Sequence, residues 1–416
     1  MENTVKTQKE DDNAQLKDIA VLRETIKETT AQIMPADEDA IAAAEQRQDI
    51  LAKPPGSLGG LEEIAIRIAG ITGQVIPEGP RGSSGQGNSE GEPDFPGKGC
   101  VMVFCADNGV VAQGVASAPQ SVTRAQTMNF CRRLTGVGVL AESFGSELLI
   151  VDMGVKDPIP DELYDDVPLR DTRKIVDRRI RPGTWDISEG PAMTEEEALQ
   201  AICSGIEMAR AAAKKGFGIL GVGEMGIGNT TTSAAVLSAI TGLDAEQTCG
   251  RGGGVNDKGF QKKKEIIEEI RQELYHPEES EDSLQRIVKI LARCGGFDLC
   301  AMTGAFLGAA AEGVPVVIDG YISVVAALAA AKIQPAAADY MFASHRSTEP
   351  GYAVAVQRLG LHPFLALDMR LGEGSGCPIA FEIIRGACSI MRNMATFDEA
   401  AINDDYLEEV RAGGCF

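Results

Sequence analysis

The sequence has few histidines and no ordered pairs of cysteines. Only three of its 416 residues are histidine, and its ten cysteines are irregularly spaced, with no CxxC pair. Structural zinc sites usually use CxxC pairs or clustered histidines, and HExxH is also missing, so we expect no metal site. No GxSxG segment indicates a nucleophilic serine. Most cysteines are expected to be buried as small apolar residues, in a reducing cytoplasm.

Positive charge and long apolar runs are also scarce. Acidic residues outnumber basic ones by 61 to 39, which gives a net charge of −22. Because such a surface repels nucleic acid and anionic lipids, we expect neither as a partner. The most apolar stretch, residues 314–331, is interrupted by Asp319 and Gly320. It predicts a buried strand followed by a helix, not a membrane span. The N-terminal segment has no signal-peptide core, so we expect a cytoplasmic protein.

Four short apolar runs indicate buried strands. They cover residues 100–105, 148–151, 217–220 and 314–318, and each leads into glycine or polar residues. Helical segments lie between the runs. The clearest begins at the capping box of Thr194 and Glu197 and stops at Gly216. Strands that alternate with helices predict a mostly parallel sheet covered on both faces, with ligands at the carboxyl ends of the strands.

The region before the first strand predicts helices and one irregular segment. Residues 1–35 are polar and predict a leading helix, and helical patterns follow over 37–51 and 61–71, with a break at paired prolines. Residues 76–99 consist almost wholly of glycine, proline, serine and charged residues. They predict an exposed loop or a disordered insertion.

A glycine-rich segment over residues 221–232 is the most informative motif. Gly221, Gly223 and Gly226 satisfy the GxGxxG pattern of dinucleotide-binding loops. Glu224 lies inside the motif, however, where its carboxylate would repel a pyrophosphate. Three threonines at 230–232 add hydroxyl and N–H donors at the start of a helix predicted over 233–240, which favours a single terminal phosphate. Dinucleotide binding and a merely tight structural turn remain open alternatives.

A second carboxylate, Glu373, lies among three glycines in the segment 370–376. The glycines would let the backbone approach a ligand closely, and enclosure would raise the pKa of Glu373 toward that of a useful base. An ordinary exposed glutamate in a flexible loop is the alternative. His345 is interpreted as a positioned structural histidine. Of the basic run 262–264, one lysine could face the phosphate-binding turn in so acidic a protein.

Eight segments, in order along the chain, resemble one enzyme family. Each alone is weak, but the ordered set is highly specific. The chain resembles the nicotinate-nucleotide–dimethylbenzimidazole phosphoribosyltransferases of the cobalamin pathway, often called CobT. The segments are residues 53–59, 106–110, 190–193, 223–231, 295–298, 319–320, 344–345 and 370–376.

The resemblance implies a fold and a reaction. The fold is α/β: a three-layer α/β/α core with a mostly parallel, Rossmann-like sheet, plus a smaller helical domain from both chain ends. On this sequence the core would be 100–375, the small domain 1–75 with 376–416, and the insertion 76–99. The implied homodimer would convert nicotinate mononucleotide and 5,6-dimethylbenzimidazole to α-ribazole 5′-phosphate and nicotinate, with inversion and without a cofactor or metal.

The resemblance also implies roles for individual residues. Glu373 matches the general base that takes the imidazole proton, and Glu224 matches a second functional carboxylate. The residues that match the nucleotide and phosphate site are Gly223, Gly226, Asn229, Thr230, Thr231 and Lys263. The residues expected at the acceptor base are Gln126, Leu371 and Ser117.

Three positions depart from the family pattern: Asn108 stands where many relatives have histidine, Ala118 where serine is frequent, and Gly60 where arginine is common. Ala118 lies where contacts to the acceptor are expected, so adenine, other benzimidazoles and phenols are also candidate acceptors.

Two other functions are possible for this sequence. One is an NAD-binding oxidoreductase that uses Gly221, Gly223 and Gly226. The other is a catalytically silent regulatory relative, against which the presence of both glutamates speaks.

Overall fold

The computed structural model describes residues 18–81, 95–276 and 282–407. Residues 82–94 of the predicted insertion, the start of the predicted leading helix and Cys415 lie outside the described residues. Within them the helix α1 covers 18–31. The other helices are α2 Glu38–Ile50, α3 Gly60–Thr72, α4 Ser121–Cys131, α5 Gly136–Ser143, α6 Glu195–Lys214, α7 Asn229–Thr241, α8 Ala245–Thr248, α9 Asp257–Leu274, α10 Ser283–Cys294, α11 Phe297–Ala311, α12 Tyr321–Ile333, α13 Pro350–Arg358 and α14 Gly376–Asn393.

Six parallel strands form one sheet at the centre of the described chain. The strands are β1 Gly99–Ala106, β2 Glu147–Gly154, β3 Ile175–Asp177, β4 Ile219–Met225, β5 Val316–Ile318 and β6 Met341–Ala343. Their order is β3-β2-β1-β4-β5-β6. Every neighbouring pair is parallel. This is the doubly wound order, in which the chain direction across the sheet reverses between β1 and β4 and ligands bind at that point.

Helices cover both faces of the sheet, as parallel sheets require. Helices α6, α11 and α12 pack on one face, and α4, α5 and α14 on the other. Every residue of β1 and β4 is buried, which explains why β1 and the start of β4 are apolar runs. The four predicted strands and the α/β fold class are therefore confirmed. The capping box of α6 is also present, with the Thr194 side chain and Glu197 bonded reciprocally.

One prediction in this region was wrong. The strand β4 does not end at Gly221 but continues to Met225, and α7 begins at Asn229, four residues earlier than predicted. Gly221 and Gly223 pair with Val101 and Val103 of β1. Pairing with a buried neighbour strand therefore outweighs the low strand propensity of glycine. As a result, Glu224 is a strand residue and not part of a loop.

The two described ends of the chain pack against each other. Leu51 pairs with Thr396 in an antiparallel bridge, and Arg47 donates to the carbonyl of Met391 at 2.7 Å. Helix α14 contacts α3, and it also contacts β1, β4 and β5. The division into domains at 75, 99 and 375 stays a prediction.

Two expectations about apolar residues have outcomes here. Residues 314–331 form β5 and most of α12 instead of one long apolar helix. Among the described residues, no helix is long and apolar enough to span a membrane. The nine described cysteines are free thiols, and eight of them are buried, which confirms their prediction as small apolar residues.

Candidate active site

A cavity of about 300 Å³ opens at the carboxyl edge of the sheet. This volume is at the lower end of the range for small-molecule sites. Its wall is built from the ends of β4 and β5 and the loops that follow them, together with α4 and two glycine-rich segments. The lining includes residues 115–118, 224–230, 251–253, 319–323 and 370–373. The cavity therefore occupies the place that the strand order designates for a ligand.

Glu373 is a buried carboxylate at the wall of this cavity, with 4% of its surface exposed. One of its oxygens accepts from the Gln126 amide at 3.1 Å. The other accepts from the backbone N–H of Val137, in the first turn of α5, at 3.3 Å. Burial raises the pKa of Glu373 above its usual range, and these hydrogen bonds oppose that rise. The carboxylate is thus held in place, and its raised pKa makes it a stronger base than an exposed glutamate.

Glu224 faces the same cavity from β4, and one amide group connects it to a third carboxylate. The side-chain nitrogen of Asn229 donates to Glu224 at 2.5 Å and to Asp298 at 2.9 Å. Burial raises the pKa of Glu224 to about 8 and that of Asp298 to about 6, in each case against hydrogen bonds from Asn229. The Glu373 backbone N–H also donates to Glu224, at 3.4 Å. The two predicted carboxylates are therefore adjacent parts of one site.

Asp319 is a fourth buried carboxylate of this group. It follows β5, lines the cavity and is 2% exposed. Burial raises the pKa of Asp319 to about 7. Among the described residues, no lysine or arginine forms an ion pair with Glu224, Asp298, Asp319 or Glu373. Within the described part of the chain, the basic side chain that does approach the group is His345, whose Nδ1 lies 3.8 Å from Asp319. Since burial lowers the pKa of His345 to about 4, this imidazole is neutral near pH 7. Burial thus disfavours the ionised form of these carboxylates unless a positive charge lies close to them.

The N-terminus of α7 forms another part of the wall. No side chain caps this helix, and Asn229 and Thr230 of its first turn line the cavity. Lys263, on α9, is fully buried behind Thr230; its ammonium group donates to the Thr230 hydroxyl at 3.1 Å and to the Gly250 carbonyl at 3.0 Å. A helix N-terminus with a lysine beside it is a suitable place for a phosphate.

Not all predicted nucleotide residues reach the cavity. Gly226, Asn229 and Thr230 line it, but Gly223, Thr231 and Lys263 do not. Gly223 lies against the loop that carries Glu373: a Cβ there would be 2.5 Å from the Gly374 nitrogen. Thr231 is fully buried inside α7. These residues shape the wall from behind, and a direct contact with a phosphate is not expected of Gly223.

The three residues predicted at the acceptor base do line the cavity. Gln126 lies beside Glu373, Leu371 is 59% exposed and adjoins the same loop, and Ser117 donates its hydroxyl to the Gly253 carbonyl at 3.0 Å. Ala118, one of the departures from the family pattern, lies next to Ser117 in the wall.

The other two departures lie away from the cavity wall. Asn108 is fully buried after β1, and Gly60 begins α3. His345 is 2% exposed, lines the cavity and has Nδ1 3.0 Å from the Ser344 hydroxyl. Among the described residues no cluster of histidine, cysteine or carboxylate side chains has the arrangement of a metal site.

Sequence reasoning missed Asp298 and Asp319 as site residues. A signal was present for Asp298: it is the one charged residue of α11, a helix buried over nearly its whole length. A carboxylate in such a helix is seldom tolerated without a specific partner. For Asp319 the signal was its place at the end of a strand, because polar residues at strand ends are where sites in parallel sheets form.

The fold and the site define an α/β enzyme whose carboxylates and helix N-terminus surround a small-molecule cavity. Comparison with known proteins narrows this class. The family described as Phosphoribosyltransferase matches residues 33–402. The chain belongs to the nicotinate-nucleotide–dimethylbenzimidazole phosphoribosyltransferase family.

Relatives with that name match nearly the whole chain. One from Clostridium perfringens is 48% identical over 91% of this chain and 96% of its own length. One from Clostridium tetani is 39% identical over 94% and 99%. A crystal structure of CobT from Thermus thermophilus superposes with a TM-score of 0.77 at 38% identity, and covers 88% of this chain and 99% of its own. The resemblance found in the sequence is therefore confirmed.

Proposed function

We propose that this protein transfers the phosphoribosyl group of nicotinate mononucleotide to 5,6-dimethylbenzimidazole or a related base. The products are α-ribazole 5′-phosphate and nicotinate, for assembly of the cobalamin nucleotide loop. One base nitrogen attacks the anomeric carbon while Glu373 takes the proton from the other nitrogen. The bond between the anomeric carbon and the pyridinium nitrogen breaks, and its electron pair stays on nicotinate. Attack opposite the leaving group converts a β bond into an α bond.

The observation that carries this proposal is the group of four buried carboxylates without a lysine or arginine partner among the described residues. The donor's pyridinium nitrogen is cationic, and positive charge spreads to the ribose as the bond to nicotinate breaks. A buried carboxylate stabilises such a charge far more than water does, and the positive charge in turn favours the ionised carboxylate. The two arginines that line the cavity, Arg251 and Arg370, form no ion pair with these four carboxylates, and Arg251 is paired with Asp257. The carboxylates therefore suit the reacting centre of a pyridinium nucleotide.

The anionic end of the donor needs a different surface. In a protein of net charge −22, a phosphate must be held by local groups. We assign this role to the N-terminus of α7 with Thr230 and to Lys263, which bonds the Thr230 hydroxyl. Thr231, Gly226 and Asn229 would complete the shape of this region. The separation of a phosphate end from a carboxylate-rich end gives the donor one orientation in the cavity.

The acceptor is assigned to the side of the cavity that Gln126, Leu371 and Ser117 share with Glu373. Leu371 offers an exposed apolar surface to the flat ring of the acceptor. Gln126 donates to the carboxylate of Glu373, the proposed general base. Ala118 supplies no hydroxyl to the ring. Loss of one donor changes selectivity by about 1–3 kcal/mol, so related bases are accepted beside dimethylbenzimidazole.

Two further expectations belong to this proposal. We propose that the enzyme is cytoplasmic and that it acts as a homodimer of chains whose small helical domain is built from residues 1–75 and 376–416. We propose no nucleic-acid partner, because a protein with a net charge of −22 repels the phosphate backbone.

The oxidoreductase alternative is disfavoured by the surroundings of its three glycines. Gly221 faces the Cys377 side chain, where a Cβ would lie 2.6 Å from that of Cys377, and Gly223 faces the backbone of Glu373 and Gly374. Protein atoms therefore occupy the space in which a pyrophosphate would contact the glycines of a dinucleotide fingerprint.

Isothermal titration followed by product analysis tests the proposal. The protein should bind nicotinate mononucleotide, and a mixture with a panel of bases should yield a phosphoribosylated base and free nicotinate by mass spectrometry. The same mixture with Glu373→Gln is the control, in which donor binding persists and product formation falls sharply. Tight binding of NAD without binding of nicotinate mononucleotide would contradict the proposal. Binding without product from any base would leave the silent relative as the better account.

A further inference from the structure

The loop that carries Glu373 has an unusual backbone. Gly372, Glu373 and Gly374 have φ values of +85°, +63° and +86°. All three lie in the left-handed region, which glycine adopts easily but which strains the backbone of Glu373. Such a conformation persists only when surrounding groups hold it. The Glu373 side chain leaves the backbone at the middle of this strained segment. Its direction therefore depends on whatever fixes the loop.

Asp319 contacts this loop at two residues that follow Glu373. One carboxylate oxygen accepts from the Gly374 N–H at 3.0 Å, and the other accepts from the Gly376 N–H at 2.7 Å. Gly376 is the first residue of α14. A carboxylate at this position also interacts favourably with the helix dipole. Asp319 thus joins the end of β5 to the start of α14 through the residues that follow Glu373.

Asp319 is itself fixed on both faces. Its backbone N–H donates to the Ser323 hydroxyl at 3.2 Å, and its carbonyl accepts from the Ser344 hydroxyl at 3.0 Å. Ser323 in turn donates to the Val222 carbonyl of β4 at 2.9 Å. These hydrogen bonds fix the position of Asp319 relative to β4, β5 and the residue that follows β6.

We infer that Asp319 is a positioning residue that fixes the direction of the Glu373 side chain through the Gly374 and Gly376 amides. The inference rests on the proposed function, in which Glu373 is the base. A helix cap without this role is the simpler alternative. The two roles predict different effects of losing Asp319. Loss of a helix cap lowers only the free energy of unfolding, whereas loss of a positioning residue also lowers kcat.

The chain offers a matched control. Asp152, near the end of β2, is also buried, and one of its oxygens accepts from the backbone N–H groups of Gly154 and Val155 at 2.9 and 2.8 Å. The loop that it holds does not line the cavity. Asp152→Asn changes a buried, loop-holding carboxylate at a place that does not carry a site residue, because its N–H₂ group replaces the oxygen that accepts from the Tyr164 hydroxyl at 2.6 Å.

The test compares Asp319→Asn with Asp152→Asn. The asparagine places an N–H₂ group against one backbone N–H, so the loop loses one of its two anchors. We expect kcat of Asp319→Asn to fall by about tenfold to a hundredfold, the scale of a small misplacement of a reacting group. KM for nicotinate mononucleotide should stay within about threefold, since the phosphate region is untouched. Asp152→Asn should lose stability but keep kcat.

Hydrogen exchange supplies a readout that does not depend on activity. In the wild-type protein the Gly374 and Gly376 amides should exchange slowly. In Asp319→Asn both should exchange faster while the amides of β1 and β4 are unchanged. If Asp319→Asn does not fold, Ser344→Ala, which loosens Asp319, should show the same pattern to a smaller extent. If the wild-type protein transferred no phosphoribosyl group, the proposed function would fail, and the exchange result would still decide whether Asp319 holds the loop.

Two results would overturn the inference. One is an unchanged kcat in Asp319→Asn with faster exchange confined to the loop. The other is a fall in kcat and a rise in KM together, with exchange raised throughout the fold, because that is general destabilisation.

Discussion

Gly223 of β4 lies directly against the backbone of Glu373. A Cβ on Gly223 would be 2.6 Å from the Glu373 carbonyl oxygen and 2.5 Å from the Gly374 nitrogen. Both distances are shorter than non-bonded contacts allow. The strand and the loop that bears the proposed general base can therefore come this close only because residue 223 is a glycine.

Gly223→Ala should displace the Glu373 loop. The added methyl group meets backbone atoms that cannot rotate away, so we expect a loss of about 1–3 kcal/mol in the free energy of unfolding and a lower kcat. Gly60→Ala is the control, because a Cβ at Gly60 meets no atom within 4 Å. Urea unfolding and steady-state kinetics measure the two effects. Wild-type kcat and stability in Gly223→Ala would show that the close approach is not required.

Glu373→Gln should remove the proton acceptor while keeping its shape. General base catalysis usually contributes about 10²- to 10⁴-fold to the rate, and we expect kcat to fall by that factor. Titration with nicotinate mononucleotide should give an affinity close to that of the wild type, since the α7 region is unaltered. The wild-type rate should also fall as the pH decreases through the raised pKa of Glu373. A variant with undiminished turnover would show that another group takes the proton.

Lys263→Met should weaken donor binding. Lys263 is the buried member of the basic run and bonds Thr230 and Gly250. Loss of a charged group near a bound phosphate should raise KM for nicotinate mononucleotide by about tenfold or more. Lys262→Met, on the same helix but partly exposed, is the matched control and should leave KM unchanged. Equal KM values in the two variants would remove Lys263 from the phosphate site.

Glu224 should make stability fall as the pH rises. Its pKa is about 8 in the fold against an ordinary 4.5, so between these values the folded state binds more protons than the unfolded state. Its contribution to stability is complete below about pH 4.5 and is lost as the pH rises through about 8. Glu224→Gln removes this dependence, and the stability of the wild type relative to the variant should decline by up to about 1.4 kcal/mol per pH unit.

Urea unfolding of both proteins between about pH 5 and pH 8 measures this difference. Glu189→Gln, at an exposed position, should follow the wild type. Parallel curves for wild type and Glu224→Gln would mean that Glu224 is ionised in the fold throughout this range.

Much of the fold could be predicted because its signals are local. A buried parallel strand is a continuous apolar run, and the capping box of α6 involves two residues three positions apart, so both can be found in the sequence. The extension of β4 to Met225 could not, because it depends on pairing with β1, which is distant in sequence. The glycines at 221 and 223 locally predict a turn or loop, because glycine is rare in strands.

The site was predicted in part for the same reason. Glu224 and Glu373 could be identified because glycines surround each of them and because the ordered segments resemble a family. Asp298 and Asp319 act through contacts with residues far away in the chain: Asp298 through Asn229, and Asp319 through Gly374 and Gly376. No spacing in the sequence shows that these four carboxylates share one site, since the fold alone brings them together.

The most direct test of the central claim is the structure of the product. The protein is incubated with nicotinate mononucleotide and 5,6-dimethylbenzimidazole, and the nucleotide formed is analysed by NMR while released nicotinate is quantified. The account predicts α-ribazole 5′-phosphate, with the base in the α configuration, and one nicotinate for each product molecule. A β-configured product, or consumption of the donor without a bond between ribose and base, would contradict it.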